Sequence, residues 1–401
     1  FSKISWYSRL ETSFPSELFI VPNAGFNEEL QSVKFLEPGA EIPVRVITVP
    51  KTLKTPRIIA VEPTCMQYAQ QSLLELIVET LEQDDNLFGS IGFTNQVPNQ
   101  HFARSGSLDQ SLATLDLSEA SDRVSNLLVR NAFSAWPHLN EALQACRSTR
   151  ADVPGHGIMP LTKFASMGSA VCFPVEAMMF LTTICLAYEA QLNRTLTKKD
   201  LCALLRVVRV YGDDLIVPTT LAPFVKDQLQ AYGFKLNAHK SFWTGKFRES
   251  CGRDYYDGED VTVTYVRRMI PTSRHNASEI VSLFSLRNQL YEAGFWETVK
   301  TLDAILEQLA PVPVVSKESP VLGRYSFLGY QTQKICKNHH KPLVRGLCVR
   351  IEHRKSPLRG PFALLKFFLK RGTQPIFDVK HLERYGRPER VSTKVRWGSA
   401  V

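Results

Sequence analysis

What this 401-residue chain lacks narrows its identity before anything in it is considered. Its eight cysteines include no Cys-x-x-Cys pair, which sets aside zinc ribbons and thioredoxin-like motifs and predicts reduced, mostly buried thiols of a cytosolic protein. Cys336, His339, His340, Cys348 and His353 are zinc-compatible types, yet their spacing matches no standard finger. No secretory leader is visible, and the first residue is Phe rather than Met, so the sequence is expected to begin inside a longer reading frame. The longest apolar run, Ala177 to Tyr188, is short of the ~20 residues that span a bilayer, and no membrane partner is expected. Internal repeats and low-complexity linkers are absent too, which predicts interleaved subdomains rather than beads on a string.

What remains is ample apolar material, with 44% hydrophobic and 10% aromatic residues. A chain of this length is too long for one ordinary core and predicts two or three packed subdomains. The formal charge of +9 is uneven: Lys334 to Val401 holds 17 Lys/Arg against 4 Asp/Glu, whereas residues 1–333 carry a net −4. A basic C-terminal part on a near-neutral body points to a polyanion, most simply nucleic acid, over the plainer alternative of a solvated charged surface.

The chain is organised around Val207 to Pro218, two short apolar runs rich in β-branched residues that meet at Gly212-Asp213-Asp214. The pattern predicts a tight β-hairpin with both acids at its tip. Adjacent carboxylates repel unless a cation stands between them, so the pair reads as half of a hard-metal site; a polar surface turn is the plainer alternative. Asp116, at the end of the predicted strand Ala113–Leu115, is the acid placed to join Asp213, and Asp122 is placed to cap a helix that follows.

Other elements follow from periodicity and punctuation. Strands are predicted at 42–49 and 58–61, flanking the basic loop Pro50–Arg57, whose Lys51, Lys54 and Arg57 suit a triphosphate. Helices are predicted at 67–82, for about 18 residues from Pro174, at 221–232, within 278–309 and at 361–370. Phe247–Gly252 and Val261–Val266 are predicted to pair as a hairpin. Ser166-Met167-Gly168-Ser169, just before the Pro174 helix, supplies pliable backbone and small side chains that let a nucleotide approach.

Taken together, the basic loop, Asp116-x5-Asp122, Ser166-Met-Gly, Tyr211-Gly-Asp-Asp, Lys240 and Phe247-Arg-Glu-Ser-Cys-Gly resemble, in that order, the palm motifs of viral RNA-dependent RNA polymerases. Pro50-Lys-Thr-Leu-Lys-Thr-Pro-Arg with Glu62-Pro63, Asp116-Leu-Ser-Glu-Ala-Ser-Asp, and Phe247-Arg-Glu-Ser-Cys-Gly followed by Asp260-Val-Thr narrow the resemblance to the levivirus group, the Qβ-like positive-strand RNA bacteriophages. It covers about residues 45–300. The family pattern has Met-Gly-Asn where this chain has Met167-Gly168-Ser169, which leaves the partner of Asp122 open.

The resemblance implies an α+β right-hand fold with an antiparallel palm sheet flanked by helices. Fingers would span 1–112, with a finger insertion at 130–163; the palm would comprise 113–129 and 164–268, and thumb and basic region 269–401. It implies RNA-directed synthesis of RNA from NTPs on an RNA template in the cytoplasm of an infected bacterial host. Asp116, Asp213 and Asp214 would bind two Mg2+ ions, with Mn2+ able to substitute, and Lys240 would be the general acid, with Lys235 a nearby competitor. Lys51, Lys54, Arg57, Asp122, Ser166, Gly168 and Ser169 would bind the nucleotide, Asp122 sensing the ribose 2′-hydroxyl. Host elongation factors Tu and Ts and a ribosomal protein are implied partners. The alternatives are a reverse transcriptase-like enzyme, against which Glu119-Ala120-Ser121 stands where such enzymes usually carry a bulky aromatic, and a non-catalytic RNA-binding palm.

Overall fold

The structure, a computed structural model, describes residues 4–20, 33–50, 56–353, 360–371 and 388–401. The chain forms two compact units, Phe1–Val263 and Thr264–Val401, and each mixes helix with strand, the α+β class.

At the centre of the first unit is a three-stranded antiparallel sheet in which Asp214–Pro218 lies between Leu112–Leu115 and Arg209–Tyr211. Leu215, Ile216 and Val217 are all buried, because the central strand is covered on both faces. Alternation sends Leu215 and Val217 into the main core with Val175, Phe180 and Ile184, and sends Ile216 against Ala103 of the helix Val97–Asp109. The helix Cys172–Leu192 starts two residues earlier and runs longer than its sequence predicts. By length and composition it could cross a membrane, but 56% of its apolar window is buried inside the unit. It is a core helix whose apolar residues run all the way round.

A second sheet orders Pro56–Val61, Val44–Pro50, Arg150–Val153 and Gly157–Pro160. Lys51 and Lys54, in the loop joining its first two strands, lie outside the described residues. Against expectation, Phe247–Ser250 pairs with Arg253–Tyr256 and not with 261–266, which form no strand. Cys251 and Gly252 both adopt positive φ, at 49° and 72°, so the chain reverses within two residues and the nearer segment becomes the partner.

In the second unit the helices Ala277–Glu292 and Trp296–Leu309 bury Ile280, Phe284, Leu302 and Leu306 together. Buried Arg287 forks onto Asp303 at 2.8 and 3.0 Å, a bidentate pair that fixes one helix against the other. The dominant strands, Pro342–His353 and Pro388–Ser399, pair antiparallel along their whole length. Their register puts Arg350, Lys394 and Arg396, all exposed, on one face of the ribbon.

Candidate active site

The hairpin tip is built from a glycine at which any side chain would be strained. Asp214 pairs with Tyr211, leaving Gly212 and Asp213 as a two-residue turn, and Gly212 takes φ +59°. A β-carbon there would stand 2.1 Å from the ring of Phe173. That ring packs edge-on against Tyr211, whose hydroxyl donates to the Phe93 carbonyl at 2.9 Å. The tip is thereby fixed to its surroundings through Phe173 and Tyr211.

Asp116 reaches the same place from the neighbouring strand. Leu115 pairs with Leu215, so Asp116, one residue on, comes abreast of Asp214. The segment 237–249 braces it: Asn237 donates to its Oδ2 at 2.9 Å, and its backbone N–H donates to the Ser241 hydroxyl at 3.1 Å. Further back, fully buried Arg248 donates to the carbonyls of Leu112, Gly245 and Phe247 and ties this segment to the start of the Asp116 strand.

The electrostatics carry the signature of crowded acids. Burial, and then the Asp213 carboxylate, push Asp214 up to about 7, with Asp116 adding to the rise and the Cys251 N–H, 3.2 Å from its Oδ2, opposing it. Asp116 is also raised, chiefly by burial, against the pull of Asn237 and Lys240. Among the described residues no three His, Cys, Asp or Glu side chains form a ready-made metal cluster, and Cys336, His339, His340 and Cys348 make none either. The acids still fit a hard divalent cation, since they offer only oxygen donors and a cation would relieve the repulsion that helps to raise Asp116 and Asp214.

Lys240 is half-exposed and donates to Glu249 at 3.1 Å. Burial works against its charge, but that hydrogen bond, with Glu249, Asp116 and Asp214 nearby, raises its pKa, so it is protonated at neutral pH. Lys235 instead pairs its backbone with Ser118 in a two-residue bridge and is exposed. Arg57 is exposed on the strand Pro56–Val61.

Asp122 is not a helix cap. The short helix starts at Ala120, its cap position is Glu119 at φ +56° with no capping bond, and Ser125 caps the next helix. Asp122 instead pairs with Lys163, Nζ to Oδ1 at 2.5 Å. The Ser166–Ser169 turn is also less pliable than its composition suggests. The Met167 carbonyl accepts from Ala60 N–H at 2.9 Å, Ala170 N–H donates to Gln70, and Ser166 and Ser169 are both buried. Met167 and Gly168 are the exposed members of the turn; Gly168 takes φ +120°, and a β-carbon there would meet the Ala60 carbonyl oxygen at 2.1 Å.

Sequence reasoning missed Lys163, Asn237, Glu249 and Glu176. The last carried a signal: it is the single charge between Cys172 and Tyr188. It is buried, and among the described residues its Oε2 finds no hydrogen-bond partner. Burial, then Asp213 and Asp122, push it up to about 8. The stability this protonated acid lends is fully present below the ordinary glutamate pKa and is lost as pH rises through about 8, where the folded chain must bury a charge. Glu176→Gln cannot ionise, so its urea midpoint is expected to stay flatter between pH 6 and 9 while that of the native chain falls; equal slopes would remove Glu176 from the account.

With this geometry in hand, comparison with known proteins is informative. Residues 41–320 match the family described as RNA replicase, beta-chain. The chain is 32% identical over 298 residues to the RNA-directed RNA polymerase subunit beta of Escherichia virus Qbeta, covering 71% of this chain and 45% of that one. It is 33% identical over 311 residues to the RNA-directed RNA polymerase beta chain of Enterobacteria phage fr, covering 77% and 51%. The chain thus spans about half the length of these curated relatives. Among solved structures, a BmCPV RNA-dependent RNA polymerase at elongation state aligns with TM-score 0.45 and 10% identity over 68% of this chain and 27% of that one. A telomerase from Candida albicans aligns with TM-score 0.38 and 11% identity over 69% and 53%. Because the family match takes in the Asp116 strand, the Asp213-Asp214 hairpin and the bracing segment that joins them, the chain belongs to the RNA replicase beta-chain family.

Proposed function

We propose that this chain carries the nucleotidyl-transfer centre of an RNA-dependent RNA polymerase that copies a positive-strand phage RNA from NTPs in the cytoplasm of an infected bacterium. The observation that carries the reading is the meeting of Asp116 with Asp213-Asp214 at one sheet end, where burial and the Asp213 charge raise both part-buried Asp116 and Asp214 beside a protonated lysine. Asp116, Asp213 and Asp214 would hold two Mg2+ ions, or Mn2+ in their place. Bound there, such ions supply the activation of a 3′-hydroxyl and the neutralisation of departing pyrophosphate charge.

The chain's own residues do the rest. The Asn237 and Ser241 contacts keep the Asp116 carboxylate oriented before substrate arrives. Lys240 holds a proton on Nζ within the field of Asp116 and Asp214 and would give it to the leaving group, Glu249 keeping the ammonium in position until then. Lys51, Lys54 and Arg57 would grip the triphosphate, Asp122 the ribose, and the turn Ser166, Gly168 and Ser169 the nucleotide through its backbone. The Arg350, Lys394 and Arg396 face supplies positive charge for RNA phosphates. Residues 1–112 and 130–163 would serve as fingers, 113–129 and 164–268 as palm, and 269–401 as thumb, with elongation factors Tu and Ts and a ribosomal protein as host partners.

The deciding experiment offers NTPs and dNTPs to the chain on one RNA template with Mg2+. Faster incorporation of NTPs is expected, and faster use of dNTPs would replace this reading with a reverse transcriptase.

A further inference from the structure

The Asp122–Lys163 pair joins residues 41 positions apart, and both ends of it are held by backbone rather than left to find each other. Lys163 pairs its backbone with Ser125, Phe164 N–H donates to the Val124 carbonyl at 2.8 Å, and Asn126 N–H donates to the Thr162 carbonyl at 3.0 Å. The segment before Asn126 is the one that carries Asp122, so the strip of chain bearing the ammonium is laced to the strip bearing the carboxylate. Buried Arg147 locks the lacing by donating to the carbonyls of Leu161, Lys163 and Phe164, the latter two at 2.9 and 3.0 Å.

The contact is one-sided on the carboxylate. Lys163 occupies Oδ1, and among the described residues no donor reaches Oδ2, while the Asp122 side chain stays 54% exposed and Lys163 only 24%. An ionised carboxylate is acceptor-only, so an Oδ2 held open in a fixed direction suits a hydroxyl donor arriving from solvent. The surroundings place the same charge in an acidic neighbourhood: Asp122 and Asp213 both act on Glu176, and Lys163 and Asp122 both act, with opposite sign, on Cys172.

We infer that Lys163 is a positioning residue for sugar selection: by holding Asp122 through Oδ1 it presents Oδ2 to the ribose 2′-hydroxyl, and so sets the preference for ribonucleotides. This rests on the polymerase reading above, and it adds a residue that the Asp122 role does not by itself require. A lysine serving only to support the fold would affect all nucleotides alike. A positioning lysine acts on the ratio.

The test measures kcat/KM for an NTP and its matching dNTP in the native chain, Lys163→Met, Asp122→Asn and the double variant. Lys163→Met keeps an unbranched side chain one atom shorter and removes the charge; its NTP-over-dNTP ratio is expected to fall about tenfold, through NTP use rather than dNTP use. The double variant is expected to discriminate no worse than Asp122→Asn alone, since both changes act through one oxygen. If Lys163→Met lowers NTP and dNTP use equally, or leaves the ratio at the native value, the inference is overturned while the polymerase reading stands. If the native chain incorporates no NTP, the polymerase reading itself fails. Should Lys163→Met melt below the assay temperature, Lys163→Arg takes its place: a guanidinium moves the carboxylate, a partial loss of the ratio is expected, and an unchanged ratio overturns the inference equally.

Discussion

Asp213→Asn is expected to lower RNA synthesis by about a thousandfold or more at saturating NTP, a loss of about 4 kcal/mol of transition-state stabilisation. The amide is nearly isosteric but neutral, so it withdraws a charged oxygen donor from the tip without emptying space in the core. It also removes the first charge that acts on Asp214 after burial, and the apo chain should melt no lower than the native one. If the template is held by the basic ribbon of the second unit as proposed, its binding should stay within about twofold, because phosphate contacts rather than the acids would supply that affinity. Two measurements check this: single-turnover extension in Mg2+, and the rise in melting temperature on adding Mg2+ without nucleotide, which the variant should lose. An unchanged product yield would remove Asp213 from cation binding.

The parts of this site that were legible in the sequence are those whose cause is local. The Arg209–Tyr211 and Asp214–Pro218 strands announce themselves through β-branched runs around Gly212-Asp213, and the Asp116 strand by a short apolar run ending at an acid. The parts that were not legible depend on long-range partners. A cap at Asp122 is reasonable from residue type alone, but the helix begins at Ala120, so Asp122 lies inside its first turn and pairs with Lys163, and nothing in the intervening residues signals that pairing. The alternation in 261–266 is genuine, yet register in a hairpin is decided by the turn, and positive φ at Cys251 and Gly252 hands the pairing to 253–256. Pro342–His353 finds its partner beyond an intervening helix, Pro361–Arg371, and so escapes any local pattern. Ser166 and Ser169 illustrate a third limit: small polar residues before a helix suggest an open, pliable turn, whereas Ala60 and Gln70 pin this one.

The second large effect is expected at Gly212→Ala, and it tests whether the acids depend on the hairpin's shape or only on its sequence. Two costs combine there. An alanine at φ +59° pays about 1 kcal/mol in backbone strain, and its β-carbon would drive into the Phe173 ring, an overpacking cost of about 1–3 kcal/mol. The tip can escape only by moving Asp213 or by tilting Phe173 away from Tyr211 and Phe93, and each route changes where the acids point. Synthesis should therefore fall more steeply than stability, since a displacement of about 1 Å at reacting groups costs about a hundredfold in rate. Phe173→Leu separates the two costs: combined with Gly212→Ala it should recover the steric part of the stability loss but not the backbone part, giving a coupling of about 1–3 kcal/mol in a double-mutant cycle read by urea unfolding. Strictly additive losses would mean that the ring does not buttress the turn, and that the acids are held by the sheet alone.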